Sequence, residues 1–274
     1  MKNVIITCSD KNCEDFLVND WLKSLIENVN LSNIDIIIID YGISKNKLNI
    51  LKKNKNVKIY KAIRCGFPNA IKFKDIEKIL KKNIYYQVMT CDCADLIFQE
   101  DINSLFEKNN EDFRAVVEDM TLPFEKFMSN VCFDKEKSKE IKEISKRKQM
   151  INMGVLIAPY EKFSSLCKEC NSLLKKKVYL ADQIAVSYFL YKNNFKRLDC
   201  KYNFIPMTTN EKFYINNGEF YLNSGEKIAI VHNVGGNSKF RIIKNFGYGK
   251  NKNEYNKIKY FILNKFIKIC NKIR

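Results

Sequence analysis

YYQVMTCDCADLIFQEDINSLF, residues 85–106, joins a strand pattern to an acidic cluster and a second apolar run. Residues 85–90 are strand-prone and largely apolar, and they lead directly into Cys91-Asp92-Cys93-Ala94-Asp95. Carboxylates just beyond the end of a buried strand are costly unless they are paired, and a hard cation that carries a phosphate is the usual partner there. An acidic turn that caps a helix running from Gln99 to Lys108, with its side chains in water, explains the same residues equally well. The remaining sequence has to decide between these two interpretations.

Strand and helix patterns alternate before this stretch. Residues 4–8, 34–39 and 57–60 are apolar runs rich in β-branched side chains, which predict buried strands. Residues 15–28 carry apolar side chains at helical spacing, and residues 44–53 form a second, more polar helix pattern. This order of strands and helices predicts a doubly wound α/β fold within one large domain.

Acidic residues lie at the ends of the first two strands as well. Asp10 follows the first strand, and Asp40 follows the apolar run of the second. Ligands of doubly wound sheets bind beyond the carboxyl ends of the strands, so these positions favour a nucleotide site and the metal interpretation of residues 91–95. The chain contains neither GxGxxG nor GxxxxGK[ST], so a dinucleotide-binding fold of the usual kind and a P-loop NTPase both lose support.

The second half of the chain contains three further candidate groups. Asn152-Met153-Gly154-Val155 begins an apolar strand with a glycine, where the backbone can approach a ligand closely. Asp182 and Gln183 open a helix pattern. His232, the only histidine, closes an apolar strand shortly before Gly235 and Gly236. A lone histidine is more often structural than a ligand, but this position before a glycine turn makes the two roles about equally well supported.

The net charge of +17 is concentrated at the end of the chain. Residues 239–274 carry a net charge of +10, with eleven Lys or Arg and one acid. From about Glu254, apolar residues such as Ile258 and Ile262 recur at spacings of three and four, with lysines between them. The pattern predicts a basic amphipathic helix that lies on an anionic membrane surface. A helix packed on the domain with its bases in water is the alternative. We therefore divide the chain into a domain of residues 1–238 and a tail of residues 239–274.

The sequence shows no long apolar segment. No run approaches the roughly twenty apolar residues that a membrane span requires, and the first residues, MKNVIITCSDKN, become polar too soon for a signal peptide. We therefore expect a cytoplasmic protein that is peripheral on the inner face of the membrane.

Together these motifs resemble a GT-A glycosyltransferase, most closely one of glycosyltransferase family 8, over most of residues 1–237. ITCSDKNCEDFLVNDWLKSL is similar to the first strand, nucleotide-binding turn and first helix of that family. CADLIFQEDINSLF is similar to its Asp-x-Asp metal motif, with Asp95 as the second Asp. Cys93 stands in the place of the first Asp, with Asp92 one position earlier, and the Lys-Pro-Trp that usually follows His-x-x-Gly is missing. The remaining similar motifs, in order along the chain, are Asn152-x-Gly154, Asp182-Gln183, Tyr202-Asn203 and His232 with Gly235.

The resemblance implies a Rossmann-like GT-A domain with a mostly parallel central sheet, and it implies a role for each candidate residue. Asp92, Asp95 and His232 would hold Mn²⁺ or Mg²⁺, and a histidine ligand suits Mn²⁺ better. Asp182 and Gln183 would be catalytic. Lys239 and Arg241 can add to a diphosphate clamp after the glycines. The predicted nucleotide-sugar contacts are Thr7, Ser9, Asp10, Asp40, Asp92, Asn152, Gly235 and Lys239.

The predicted activity is transfer of a hexose or N-acetylhexosamine from a UDP-sugar to a bacterial surface-glycan acceptor of the lipopolysaccharide, lipooligosaccharide or capsule type, with retention. The predicted partners are the nucleotide-sugar donor, a glycan or lipid-linked glycan acceptor and an anionic membrane surface. A basic nucleic-acid-binding protein is one alternative, but it would spread bases and aromatic residues over a domain face rather than along a tail, so we expect no nucleic-acid partner. A non-catalytic transferase homologue is the other alternative, because Cys93 interrupts the metal motif.

Overall fold

The computed structural model describes residues 1–119, 124–128, 133–174, 179–234, 241–256, 258–262 and 265. Its strands are β1 (Asn3–Ser9), β2 (Ile34–Asp40), β3 (Val57–Lys61), β4 (Gln87–Cys91), β5 (Leu96–Phe98), β6 (Arg114–Val117), β7 (Ile151–Pro159), β8 (Lys196–Arg197), β9 (Phe213–Asn216), β10 (Glu219–Leu222), β11 (Ile230–His232), β12 (Ile243–Lys244) and β13 (Glu254–Tyr255). Its α-helices are α1 (Glu14–Phe16), α2 (Lys23–Asn28), α3 (Lys45–Leu51), α4 (Pro68–Lys82), α5 (Ser104–Glu107), α6 (Lys135–Ser145), α7 (Tyr160–Leu173) and α8 (Ala181–Asn193). A π-helical turn (Leu17–Leu22) joins α1 to α2, and two 3₁₀ turns cover Phe124–Phe127 and Cys200–Tyr202.

A seven-stranded sheet in the order β3-β2-β1-β4-β7-β6-β8 forms the centre of the described structure. β7 runs antiparallel to its neighbours β4 and β6, and the other neighbouring pairs are parallel. Every residue of β1 and β2 is buried, which explains why their apolar runs are nearly continuous, with Asp35 the one acid inside the run of β2. The predicted α/β fold with a mostly parallel central sheet is confirmed.

Helices cover both faces of this sheet. Because successive side chains of a strand point to opposite faces, Ile6 joins an apolar layer with α4, α7 and α8, whereas Ile5 joins the layer that contains Trp21. A third, smaller apolar cluster lies beneath the β9–β10 hairpin and includes Phe220 and Val231. The carboxyl ends of β1 and β4 remain uncovered by these layers and face a cleft.

The segment after β5 corrects the predicted helix from Gln99 to Lys108. The side chain of Gln99 is buried, where it donates hydrogen bonds to the carbonyls of Phe220 (3.2 Å) and Ile228 (2.6 Å) and accepts one from the Phe220 N–H (2.9 Å). The α-helix is limited to α5. Gln99 therefore continues the contact of β5 with the hairpin layer instead of starting a helix.

Residues 241–256, which the sequence assigns to the tail, pack against the domain. Glu254 and Tyr255 form β13, which pairs with β12, so the predicted helix begins after Glu254 rather than at it. The Asn253 side chain donates to the Gly218 carbonyl (2.7 Å), and Ile242 is fully buried. Helical residues are described at positions 258–262 and 265, and the rest of the predicted helix lies outside the described residues. Among the described residues, no helix combines the length and the apolar character needed to cross a bilayer.

Glu140 on α6 ties this helix to α8. Its carboxylate accepts hydrogen bonds from Lys137 (2.7 Å), Lys192 (2.8 Å) and the Tyr188 hydroxyl (2.5 Å). These partners, Lys137 first, lower the pKa of Glu140 from 4.5 to about 2. A carboxyl group whose pKa is lower in the folded state stabilises the fold above its unfolded pKa, and this contribution is lost as the pH falls towards the folded pKa.

We expect Glu140→Gln to lower the melting temperature at pH 7 and the difference from the wild type to shrink as the pH falls from about 4.5 towards 2. The loss should not exceed about 1 kcal/mol, because the pair is partly exposed. Circular dichroism melts at pH 7, 5, 4 and 3 measure it, with Glu143→Gln on the exposed face of the same helix as the matched control. A difference that does not change with pH contradicts this account.

Candidate active site

A cleft of about 680 Å³ lies at the carboxyl edge of the central sheet. β7 is antiparallel to β4 and pairs its Val155 with Cys91, so the beginning of β7 meets the end of β4 at this edge. The predicted residues that line the cleft are Ser9, Asp10, Asp92, Asp95, Asn152, Asp182, Gln183 and His232. Residues from five separate parts of the chain therefore converge on one cavity.

Asp92, Asp95 and His232 form a compact cluster in this cleft. Each offers a ligand atom within 4.8 Å of the others. His232 Nε2 lies 3.3 Å from Asp95 Oδ1 and 3.8 Å from Asp92 Oδ2. β11 brings the histidine there, because it pairs antiparallel with β5 and places His232 opposite Leu96. Two carboxylates and an imidazole fit a divalent cation, and the histidine suits Mn²⁺ better than Mg²⁺.

The ring of His232 is held in one orientation. Its Nδ1 lies 3.1 Å from Asn203 Oδ1, and the Asn203 amide donates to Asn152 Oδ1 (2.8 Å). Nδ1–H is thus the donor to Asn203, and Nε2 faces the carboxylates, which is the arrangement by which proteins orient a metal-binding histidine. Burial opposes the charged imidazole, but Asp95 and then Asp92 outweigh it and raise the pKa of His232.

Gly154 leaves the space that the ring of His232 occupies. A Cβ atom at this position would lie 2.0 Å from His232 Nδ1 and 2.9 Å from Asn152 Oδ1. Atoms cannot approach so closely, so any side chain here forces the imidazole or the strand to move. The glycine in the Asn-x-Gly motif is therefore required by the packing of the histidine.

Lys72 on α4 is a buried cation that the sequence analysis missed. Its Nζ lies 3.4 Å from Asp92 Oδ1, and its side chain is 1% exposed. Burial alone would lower the pKa of Lys72, but the nearby acids, led by Asp92, outweigh burial and raise it. The only available signal was a lysine within the apolar run Ala70–Phe73 of a helix. In the structure Lys72 neutralises a carboxylate that is only 18% exposed.

Asp182 lies at the start of α8. Burial, opposed by the charge of Lys72, raises the pKa of Asp182 to about 6. The preceding residue, Leu180, has a φ of 68°, an unusual conformation for leucine, and it too lines the cleft. The sharp entry of the chain into α8 therefore places Asp182 and Gln183 at the wall of the cleft.

The sequence analysis also missed Glu118, which lines the cleft. It follows β6, and its Oε1 accepts hydrogen bonds from Asn152 (2.7 Å) and Gln183 (3.0 Å). Burial raises the pKa of Glu118. Together with Asn203, Glu118 completes a chain of hydrogen bonds that connects Gln183 to His232. Its position at a strand end was the signal that could have identified it.

Cys93 does not belong to the group of ligand atoms formed by Asp92, Asp95 and His232. Its thiol is buried and donates to the Cys8 carbonyl (3.1 Å) on β1. Asp92, one residue earlier, instead supplies the second carboxylate of the cluster. Asp92 stands one position before the first Asp of the motif, yet its Oδ2 lies 3.8 Å from His232 Nε2.

The other predicted residues have different surroundings. Thr7 donates to the Cys91 carbonyl (2.8 Å) and so ties β1 to β4. Asp40 accepts from the N–H groups of Gly42 (2.8 Å) and Ile43 (2.7 Å) and so caps its own turn. Neither lines the cleft. Gly235 and Lys239 lie outside the described residues.

Comparison with known proteins gives one family. The model for glycosyl transferase family 8 matches residues 16–240, which is most of the chain. No curated protein matches the chain. The matched range includes Asp92, Asp95 and His232, together with the residues that hold the ring of His232.

We expect Gly154→Ala to weaken Mn²⁺ binding by about 10–100-fold, the usual effect of disturbing the groups that orient a metal ligand. The free Mn²⁺ signal in electron paramagnetic resonance measures the affinity, and a thermal melt shows that the variant is folded. In a His232→Ala background the added methyl has no ring to displace and only the contact with Asn152 Oδ1 remains, so Gly154→Ala should then have a smaller effect. An equal loss of affinity in both backgrounds contradicts the assigned contact.

Proposed function

The chain belongs to glycosyltransferase family 8, and we propose that it transfers a hexose or N-acetylhexosamine from a UDP-sugar to a bacterial surface-glycan acceptor of the lipopolysaccharide, lipooligosaccharide or capsule type, with retention. Its membership of the family makes it a glycosyltransferase. The cluster of Asp92, Asp95 and His232 in the cleft at the carboxyl edge of the sheet is the observation that supports a nucleotide-sugar donor. Retention is supported by the family resemblance.

In this reaction the bond between the anomeric carbon and the diphosphate oxygen breaks, and a bond from that carbon to the acceptor oxygen forms. The acceptor hydroxyl loses its proton and UDP departs with the bonding electrons. A divalent cation held at the site would stabilise the negative charge of the leaving diphosphate. Asp92, Asp95 and His232 are the residues that would hold it, and the imidazole favours Mn²⁺ over Mg²⁺.

Asp182 and Gln183 are the proposed catalytic residues. A carboxylate of Asp182 facing the anomeric carbon would stabilise the positive charge that develops there, and the pKa of about 6 leaves it mostly ionised at pH 7. Glu118 positions Gln183 through the hydrogen bond to its amide. Both residues begin α8, so one helix start presents them to the donor sugar.

The nucleoside would bind beside Ser9 and Asp10, which line the same cleft. Asn152 lies between Glu118 and Asn203 in the hydrogen-bond network that reaches His232. Gly235 and Lys239 are proposed contacts of the diphosphate. Thr7 and Asp40 would support the binding turns from behind, since their side chains hold β1 and the turn after β2.

The start of the C-terminal helix supports a membrane-surface partner. Ile258, Phe261 and Ile262 share one face at helical spacing and are 75%, 66% and 61% exposed. Lys259 instead reaches the domain, where its Nζ donates to the Arg241 carbonyl (2.7 Å). The apolar side chains thus face outward, opposite to a helix that buries its apolar face on its own domain.

We therefore propose that residues 258–274 bind an anionic membrane surface, on the inner face of the cytoplasmic membrane. The net charge of +10 in residues 239–274 complements anionic lipid. A lipid-linked or membrane-embedded glycan acceptor would then be presented to the cleft, while the nucleotide sugar arrives from the cytoplasm.

Asp95→Asn is expected to abolish the Mn²⁺-dependent part of UDP binding and to lower UDP-sugar turnover by roughly 10²–10³-fold, because one anionic ligand is lost. Calorimetry of UDP with and without Mn²⁺, and turnover of a panel of UDP-sugars, measure both effects. Asp101→Asn, an exposed carboxylate on the next loop, is the matched control and should change neither.

Two results would contradict the enzyme proposal. One is full turnover by Asp95→Asn without metal, and the other is the absence of Mn²⁺-dependent UDP binding in the wild type. UDP binding without turnover of any UDP-sugar would instead favour the non-catalytic homologue that Cys93 suggests.

Phe261→Glu should reduce binding to vesicles of phosphatidylcholine and phosphatidylserine by about tenfold, because it replaces an apolar side chain that would insert into the lipid with a charge that the anionic lipid repels. Cosedimentation measures the bound fraction. Ile63→Glu, at a side chain that is 88% exposed on the loop after β3, is the matched control. Equal binding of both variants and the wild type rules out this docking face.

A further inference from the structure

Arg241 lies between Asp95 of the predicted cation site and the start of the C-terminal helix. Its carbonyl accepts the hydrogen bond from Lys259 Nζ (2.7 Å), and the carbonyl of the next residue, Ile242, accepts one from the Asn256 N–H (3.0 Å). Ile242 itself is fully buried. The main chain at Arg241 is therefore fixed to the domain, while its side chain lies at the wall of the cleft and is 29% exposed.

The guanidinium of Arg241 forms an ion pair with Asp95, one of the two carboxylates of the predicted cation site. Its Nη2 lies 2.8 Å from Asp95 Oδ2, and Asp95 Oδ1 lies 3.3 Å from His232 Nε2. Both oxygens of Asp95 thus already face a nitrogen. His232 can give up a proton and become a ligand, but a guanidinium keeps its charge and has no lone pair to offer. Arg241 and a divalent cation therefore place two positive charges against the same carboxylate, Asp95, and oppose each other there.

A guanidinium that leaves Asp95 has a suitable second partner in the proposed reaction. Its planar set of N–H donors fits phosphate oxygens, and the diphosphate of a nucleotide sugar must lie beside the cation. When the site holds a cation without a nucleotide, the positive charge of Arg241 repels that cation. When the diphosphate is bound as well, Arg241 attracts the negative phosphate groups.

We propose that Arg241 is a positioning residue that holds Asp95 while no cation is bound and turns to the donor diphosphate when a cation takes its place. This exchange rests on the proposed use of a nucleotide-sugar donor. It makes cation and nucleotide bind cooperatively, because Arg241 weakens binding of the cation alone and strengthens binding of the pair. It also supplies a cationic side chain beside Asp95 in a chain that lacks the Lys-Pro-Trp motif after its glycines.

The test is Arg241→Gln, with two measurements that should move in opposite directions. In the absence of nucleotide, Mn²⁺ should bind about tenfold more tightly than to the wild type, as read from the free Mn²⁺ resonance signal. At saturating Mn²⁺, UDP should bind about tenfold more weakly, as read by calorimetry. Loss of structure would weaken both, so only opposite changes support the exchange.

Two further variants complete the experiment. Arg197→Gln removes a similar guanidinium from a surface pair with Asp119 (2.7 Å) and should change neither affinity. Arg241→Lys keeps the charge without the planar donor set, so Mn²⁺ alone should bind as in the wild type while UDP binds more weakly.

Unchanged or weaker Mn²⁺ binding by folded Arg241→Gln overturns the proposal, and so does unchanged UDP binding. If the wild type binds no UDP at all, the proposed donor fails, whereas the Mn²⁺ measurement still decides whether Arg241 competes for Asp95.

Discussion

The site depends on the electrostatic cost of placing two carboxylates, Asp92 and Asp95, at the edge of a buried sheet. Neither side chain is more than 18% exposed, so water cannot fully solvate their charge and nearby groups have to compensate. Lys72, His232 and Arg241 approach from α4, from β11 and from the segment after it. Three cationic or N–H groups therefore converge on two acids.

The same constraint explains features that lie further from the acids. His232 can face Asp95 with Nε2 only because Asn203 accepts its Nδ1–H and because Gly154 has no side chain. Asn203 in turn is held by Asn152, which also donates to Glu118. A change anywhere along this network therefore alters the orientation of the histidine, and the effects of its members should not be additive. The short β5–β11 pair is the backbone element that fixes the distance between histidine and acid.

Much of the fold was predictable because it depends on local periodicity. The nearly continuous apolar runs of β1 and β2 are buried on both faces, and the order of strands and helices indicated the parallel sheet. The prediction failed at Gln99, whose amide bonds to the β9–β10 hairpin more than a hundred residues later in the chain. It also failed at Glu254, which pairs as a strand with residues near position 244. Both are cases in which a distant hydrogen-bond partner overrides local helix preference.

The sequence by itself determined the fold class, the family resemblance and the acids and histidine of the candidate site, because strand-end position and residue type are local properties. Only the tertiary structure decided which of these residues meet. It placed Asp92 rather than Cys93 beside His232, assigned Thr7 and Asp40 to the support of strands and turns, and added Lys72 and Glu118. A buried lysine or glutamate looks ordinary in a sequence, since its role depends on charges that approach from other elements in three dimensions.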